Sequence, residues 1–102
     1  MDLSQEAWSQ KLAQTEGSII IDVRTQEEYK AGHILNSQLL NIQETQTFFD
    51  SIKVFDKSRS YFIYCRSGSR SAMACQILKQ HGIVNCFNLL GGILDWQGEI
   101  EK

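Results

Sequence analysis

The apolar residues of the chain change period several times, and each change marks an element. Ser4 precedes a stretch carrying Ala7, Trp8 and Leu12 at helical spacing, a polar cap followed by one apolar face, and Gly17 ends the connection. Ile19-Ile20-Ile21-Asp22-Val23 is a continuous run rich in β-branched residues, the pattern of a strand covered on both faces in a parallel sheet. Thr25-Gln26-Glu27-Glu28 fits a capping box, in which the Thr25 hydroxyl and the Glu28 carboxylate satisfy orphan backbone donors, and Gly32 keeps that helix short. Leu39 to Ile42 reads as a strand, and Thr45 to Lys53 as a helix with Phe48, Phe49 and Ile52 at helical spacing. Tyr61-Phe62-Ile63-Tyr64 predicts a further strand that breaks off at Cys65. Ser71 to His81 predicts a helix with Met73, Ala74, Ile77 and Leu78 on one face, stopped by Gly82, and Cys86 to Leu90 is a last extended piece.

Strands alternating with helices in so short a chain imply an α/β fold, a parallel sheet with helices on both faces. With 102 residues, the chain is expected to form one domain spanning 1–102. Ten Lys+Arg against twelve Asp+Glu leave a net charge of -2, too little positive field to gather nucleic acid or an anionic membrane surface. No apolar run approaches the ~20 residues of a membrane-spanning helix. Residues Met1 to Glu6 lack the basic start and apolar stretch of a secretory signal, so a cytoplasmic location is expected. The three cysteines, Cys65, Cys75 and Cys86, suit neither a disulfide framework nor the paired ligands of a zinc site. At least one free thiol and no metal site are therefore expected.

Of those thiols Cys65 holds the position of interest, because ligands of open α/β sheets bind beyond the carboxyl ends of strands. Cys65-Arg66-Ser67-Gly68-Ser69-Arg70 joins a strand to a helix. Backbone N–H groups of Ser67, Gly68 and Ser69 are expected to point inward with the helix N-terminus behind them, forming an anion-binding nest. Gly68 permits the backbone angles of a tight concave turn, and the small Ser67 and Ser69 leave the cradle open. Helix dipole, Arg66 and Arg70 together favour a Cys65 thiolate. The competing reading is an inert buried cysteine.

The run from Cys65 to Arg70 resembles the active loop of the rhodanese sulfurtransferases, specifically the small single-domain kind. Asp22-Val23-Arg24 followed by Glu28-Tyr29 and Gly32-His33-Ile34, and Leu90-Gly91-Gly92 followed by Trp96, resemble the same family in order and spacing. The resemblance implies a three-layer α/β/α fold with a mainly parallel sheet of four to five strands. It also implies a reaction in which Cys65 takes a sulfane sulfur from a donor such as thiosulfate, becomes a persulfide and passes the sulfur to a nucleophilic acceptor such as cyanide or a thiol. Arg66 and Arg70 are then expected to hold the anionic donor with the loop amides of Ser67, Gly68 and Ser69, and no metal or organic cofactor is required. The acceptor could also be a thiol-bearing protein, which makes a persulfide relay or regulatory module the rival reading. Four residues separate Cys65 from Arg70, where the family's phosphatase relatives have five, so phosphate or arsenate chemistry ranks lower. The sequence departs from the family in carrying Leu35-Asn36-Ser37 where proline is usual after the Gly-His-Ile turn.

The remaining candidates have plainer readings. Arg24 and Glu28 are expected to form an ion pair bracing the scaffold, with Asp22 as a support beneath the active loop. His33, beside Gly32, is expected to be a structural hydrogen-bonder rather than a general base. His81 ends its helix, where the dipole favours it. Cys75 and Cys86 are read as core residues, with a disulfide-resolving role the alternative. Trp96 is read as a packing aromatic that could also shield the loop.

Overall fold

The structure is a computed structural model describing residues 1–102. Seven strands and four helices follow one another as β1 (Asp2–Leu3), α1 (Gln5–Gln14), β2 (Ile19–Asp22), α2 (Gln26–Ala31), β3 (His33–Ile34), β4 (Gln38–Leu39), α3 (Thr45–Ile52), β5 (Tyr61–Tyr64), α4 (Ser69–Gln80), β6 (Cys86–Leu89) and β7 (Ile100–Glu101), with a 3-10 turn at Ile93–Asp95. Five strands form a parallel sheet in the order β1-β6-β5-β2-β4. β3 and β7 pair antiparallel in a separate ribbon. The α/β class and the parallel sheet are those expected from the alternation of elements.

Strand side chains alternate between faces, so β5 divides its residues between two cores. Tyr61, Ile63 and Cys65 join Phe48 and Ile52 of α3 and Ala74, Cys75 and Leu78 of α4. Phe62 and Tyr64 join Trp8 of α1 with Ile20, Phe87 and Leu89 from the neighbouring strands. The two clusters are the two faces of the sheet, which makes the molecule three layers deep. Trp8, fully buried, anchors α1 by stacking edge-on against Phe62 and donating its indole N–H to the Phe87 carbonyl at 3.0 Å.

Local sequence rules set the element ends. Ser4 accepts from the Ala7 N–H to cap α1, and the capping box at α2 is complete, with Thr25 and Glu28 each bonded to the other's backbone N–H. The expected Leu39–Ile42 strand is displaced to Gln38–Leu39. Leu40 and Ile42 still donate to the Asp22 and Val23 carbonyls, so the segment runs on beside β2 without full ladder geometry. α4 starts two residues earlier than its apolar spacing suggests, and its buried face is Ser71, Ala74, Cys75 and Leu78. Met73, expected on that face, is 58 % exposed, because the inward register runs through Ser71 and Cys75.

The strand order also creates a crevice. After β2 the next strand of the sheet lies on the β4 side, whereas after β5 the chain crosses through α4 to β6 on the opposite side. Connections diverge at the carboxyl ends of these adjacent strands, a topological switch point of the kind where α/β sheets bind ligands. The segment Arg24–Thr25 leaves β2 there, and Cys65 leaves β5.

Candidate active site

Cys65 stands one residue past β5, and its loop closes into α4 through Gly68, which has φ 113° in the left-handed region. Gly68 is the N-cap of α4 and offers no capping side chain, so the first N–H groups of the helix face the loop interior. The Cys65 sulfur occupies that place. The Gly68 N–H donates to Sγ at 3.0 Å, and the Ser71 hydroxyl lies 3.3 Å from it. Burial pushes the Cys65 thiol up; the Ser71 hydroxyl and the backbone N–H groups of Ser71, Gly68 and Ser67 outweigh it and leave the thiol below its ordinary value. Cys75 and Cys86 have the burial without the donors. Their thiols are pushed up to about 12 and about 11, chiefly by desolvation. All three cysteines are unpaired.

The loop is held from outside by the Gly91-Gly92 turn. Ile93 and Leu94 donate their N–H groups to the Cys65 and Arg66 carbonyls, each at 3.0 Å. Gly92 packs so closely beneath that a Cβ there would fall 2.6 Å from the Cys65 carbonyl oxygen and meet the Arg66 carbonyl as well. The glycine pair thus belongs to the site as a backbone support, a role that its spacing from Cys65 gives no means of reading.

The two arginines of the loop part company. Arg66 is exposed. Arg70 forms a bidentate pair with Glu28, at 2.9 and 3.0 Å, and this pairing, more than any other influence, holds the Glu28 carboxyl down at about 2. The expected Arg24–Glu28 pair does not form. Arg24 instead folds back on Asp22, its Nη2 2.7 Å from Oδ2, and also donates to the Gly32 carbonyl. The reason is geometric: residues two apart at a strand end lie on one face, while α2 turns Glu28 toward α4. Arg70 feels the charge of Cys65, but the hydrogen bonds of the loop come first in lowering the thiol.

Asp22 is fully buried and receives the Arg24 backbone N–H, the Arg24 guanidinium and the Tyr64 hydroxyl. Tyr64 also takes the Ile34 N–H at 3.0 Å and lies 3.0 Å from the Ser37 hydroxyl, so one phenol ties β5 to β2 and to the β3–β4 turn. Burial raises the Tyr64 phenol well above its ordinary value. In that turn Asn36 takes φ 70°, a conformation that asparagine tolerates and a proline could not adopt.

His33 stacks on Tyr29 with ring centroids 3.7 Å apart and donates Nδ1–H to the Tyr29 carbonyl at 2.9 Å. His81 caps α4 with Nδ1 2.9 Å from the Ile77 carbonyl. Trp96 packs edge-on against Trp8. Two polar neighbours of the sulfur escaped the sequence reading. Ser71 and Asn88 are buried and bonded to each other beside the sulfur. Asn88 leaves one signal, a polar residue within the otherwise apolar Cys86–Leu89 strand. Cys65 is 1 % exposed, and none of the surface cavities has it in its wall.

The parallel α/β sheet thus sets one thiol, held below its ordinary value by hydrogen bonds, between a strand end and a helix N-terminus. Comparison with known proteins makes the class particular. Residues 5–99 match the model of the Rhodanese-like domain, and the chain belongs to that family. It is 38% identical over 95 residues to a sulfurtransferase of Allochromatium vinosum, covering 93% of this chain and 86% of that one. It is 30% identical over 92 residues to the thiosulfate sulfurtransferase GlpE of Coxiella burnetii, covering 90% and 81%. A rhodanese-like domain protein from Staphylococcus aureus superposes with a TM-score of 0.82 at 33% identity, covering 98% of this chain and 95% of that one. Sulfur transfer is the general activity that these relatives support. No helix is long and apolar enough to cross a membrane.

Proposed function

We propose that the protein is a thiosulfate-type sulfurtransferase in which Cys65 carries the sulfur as a persulfide. The Cys65 thiolate attacks the outer sulfur of thiosulfate; an Sγ–S bond forms, the sulfur–sulfur bond of the donor breaks, and its electron pair leaves with sulfite. Charge balances, since a thiolate and a dianion become a persulfide anion and a dianion. In the second half a nucleophile, cyanide or a thiolate, takes the terminal sulfur and returns Cys65 as thiolate. Arg66, Ser67 and Ser69 ring the mouth and meet the donor, the Gly68 N–H steadies the negative sulfur, and Arg70 acts from its pair with Glu28. Asp22 and Arg24 brace the floor. The observation that carries this reading is the Gly68 N–H and Ser71 hydroxyl on Sγ, which favour the Cys65 thiolate that attacks the donor and that the second half returns.

The test is intact mass after incubation with thiosulfate. One added sulfur atom, removed by cyanide and absent in Cys65→Ser, supports the reading; no added sulfur in the native chain defeats it. A second reading, relay to a protein thiol, is favoured by the mouth itself. Leu94 is 60% exposed and donates its backbone N–H to the Arg66 carbonyl, which sets an apolar side chain beside the loop where a protein could cover it. Rapid loss of the sulfur to a protein thiol with slow loss to cyanide would favour the relay.

A further inference from the structure

Asn88 is 1 % exposed and Ser71 is fully buried, in a layer where apolar side chains would otherwise pack. Buried polar groups of this kind persist when every donor and acceptor is used. The Asn88 amide nitrogen donates to Asp2 Oδ1 at 3.0 Å and to the Gly68 carbonyl at 3.2 Å. Turning the amide over would set its oxygen against both acceptors, so chemistry fixes the orientation and leaves Oδ1 facing the Ser71 hydroxyl. That hydroxyl has one proton and two acceptors, Asn88 Oδ1 and Cys65 Sγ.

The competition has a winner in each state of the sulfur. A neutral sulfur, whether thiol or the inner sulfur of a persulfide, is a weak acceptor, and the proton rests on Asn88. A thiolate makes a charge-assisted bond and draws the proton to itself, stranding a buried carbonyl. The geometry points to Asn88 as a positioning residue that, through the Ser71 hydroxyl, disfavours the resting thiolate relative to the persulfide, whose charge has moved outward to the terminal sulfur. This rests on the persulfide reading above for its place in the cycle. The charged groups about the site are Arg66, next to Cys65 in sequence and exposed, Arg70 of α4 with Glu28 of α2, Asp22 and Arg24 at the end of β2, and Asp2 of β1 behind Asn88. Those groups are retained in all the variants below.

The experiment is the pH midpoint of Cys65 alkylation by iodoacetamide, followed by peptide mapping on the full chain. Asn88→Leu keeps the branched shape of the side chain and removes its acceptor, together with its N–H donations to Asp2 and the Gly68 carbonyl; the midpoint should fall by about half to one unit, the size of one hydrogen bond re-aimed at a charge. Ser71→Ala should raise it, and the double variant should match Ser71→Ala. A loosened loop, the merely structural outcome, would instead raise the midpoint in Asn88→Leu whether or not Ser71 is present. That rise, or a fall that persists without Ser71, overturns the proposal. Ser71→Ala places the best helix former inside α4, so it remains informative should Asn88→Leu not fold; an unchanged midpoint in it also overturns the proposal. Alkylation needs no sulfur donor, so failure here is separable from failure to form the persulfide.

Discussion

Gly92→Ala examines the support beneath the cysteine loop. The residue sits at φ 60° and ψ -162°, where a side chain is strained, and its Cβ would approach the Cys65 carbonyl oxygen to 2.6 Å and crowd the Arg66 carbonyl. Both obstacles are backbone, so relief requires moving the loop or the turn. Strain of this kind costs about 1–3 kcal/mol and overpacking about 1–3 kcal/mol. The sum, about 2–6 kcal/mol, is a large fraction of the ~5–15 kcal/mol that holds a domain together. A loss of about 4 kcal/mol, the middle of that range, would lower Tm by roughly 16–32 °C in a domain of this size. Gly17→Ala is the control. Gly17 has φ 68°, but a Cβ there meets only the Arg59 side chain, at 3.7 Å, so it carries strain without the clash. Urea unfolding of both variants separates the two contributions, and Cys65 alkylation reports the loop. Gly92→Ala should lose at least about 1 kcal/mol more than Gly17→Ala and slow alkylation at neutral pH. Equal losses, or native alkylation in Gly92→Ala, would refute the view that this turn holds the loop in shape.

Three further outcomes follow from the site. Glu28 is paired in the folded state and its carboxyl is held down at about 2, against about 4.3 for a free glutamate. A depressed folded value contributes stability above the unfolded pKa and loses it as pH falls from about 4.3 toward about 2; Glu28→Gln should remove that part of the acid-side slope, about 1 kcal/mol after solvent screening, in urea titrations across that window. Tyr64→Phe leaves the Ile34 N–H and one bond to buried Asp22 without a partner, so it should cost about 1–3 kcal/mol in urea unfolding while Cys65 still loads sulfur. Cys75→Ser and Cys86→Ser should each keep sulfur loading as judged by intact mass; loss of loading in Cys75→Ser would restore a redox role to that thiol.

The central strands, the capping box and the cysteine loop were legible because each rests on neighbours in sequence: β-branched runs, a four-residue capping pattern, a glycine between small polar residues. Contacts made across the sheet were not. Arg24 chose Asp22, and Glu28 chose Arg70, 42 residues away, because the register of α2 against α4 is a tertiary fact. The inward face of α4 was misread at Met73, since hydrophobicity alone gave no reason to turn Ser71 inward; the reason is its bond to Asn88 and the sulfur. β1, β3 and β7 are two residues each, too short for any periodicity to show. The thiol was expected to be lowered by the helix dipole, Arg66 and Arg70 together; the Ser71 hydroxyl and the N–H groups of Ser71, Gly68 and Ser67 take the larger part, while the Arg70 fork is engaged with Glu28.

The most direct measurement is the order in which the three cysteines react with iodoacetamide as pH is raised, located by peptide mapping. Cys65 should be modified alone near neutrality, with a midpoint below that of an ordinary thiol, while Cys75 and Cys86, pushed up to about 12 and about 11, stay silent. Modification of Cys75 or Cys86 before Cys65, or a Cys65 midpoint at or above the ordinary value, would contradict the claim that the loop's hydrogen bonds favour the anionic form of this sulfur.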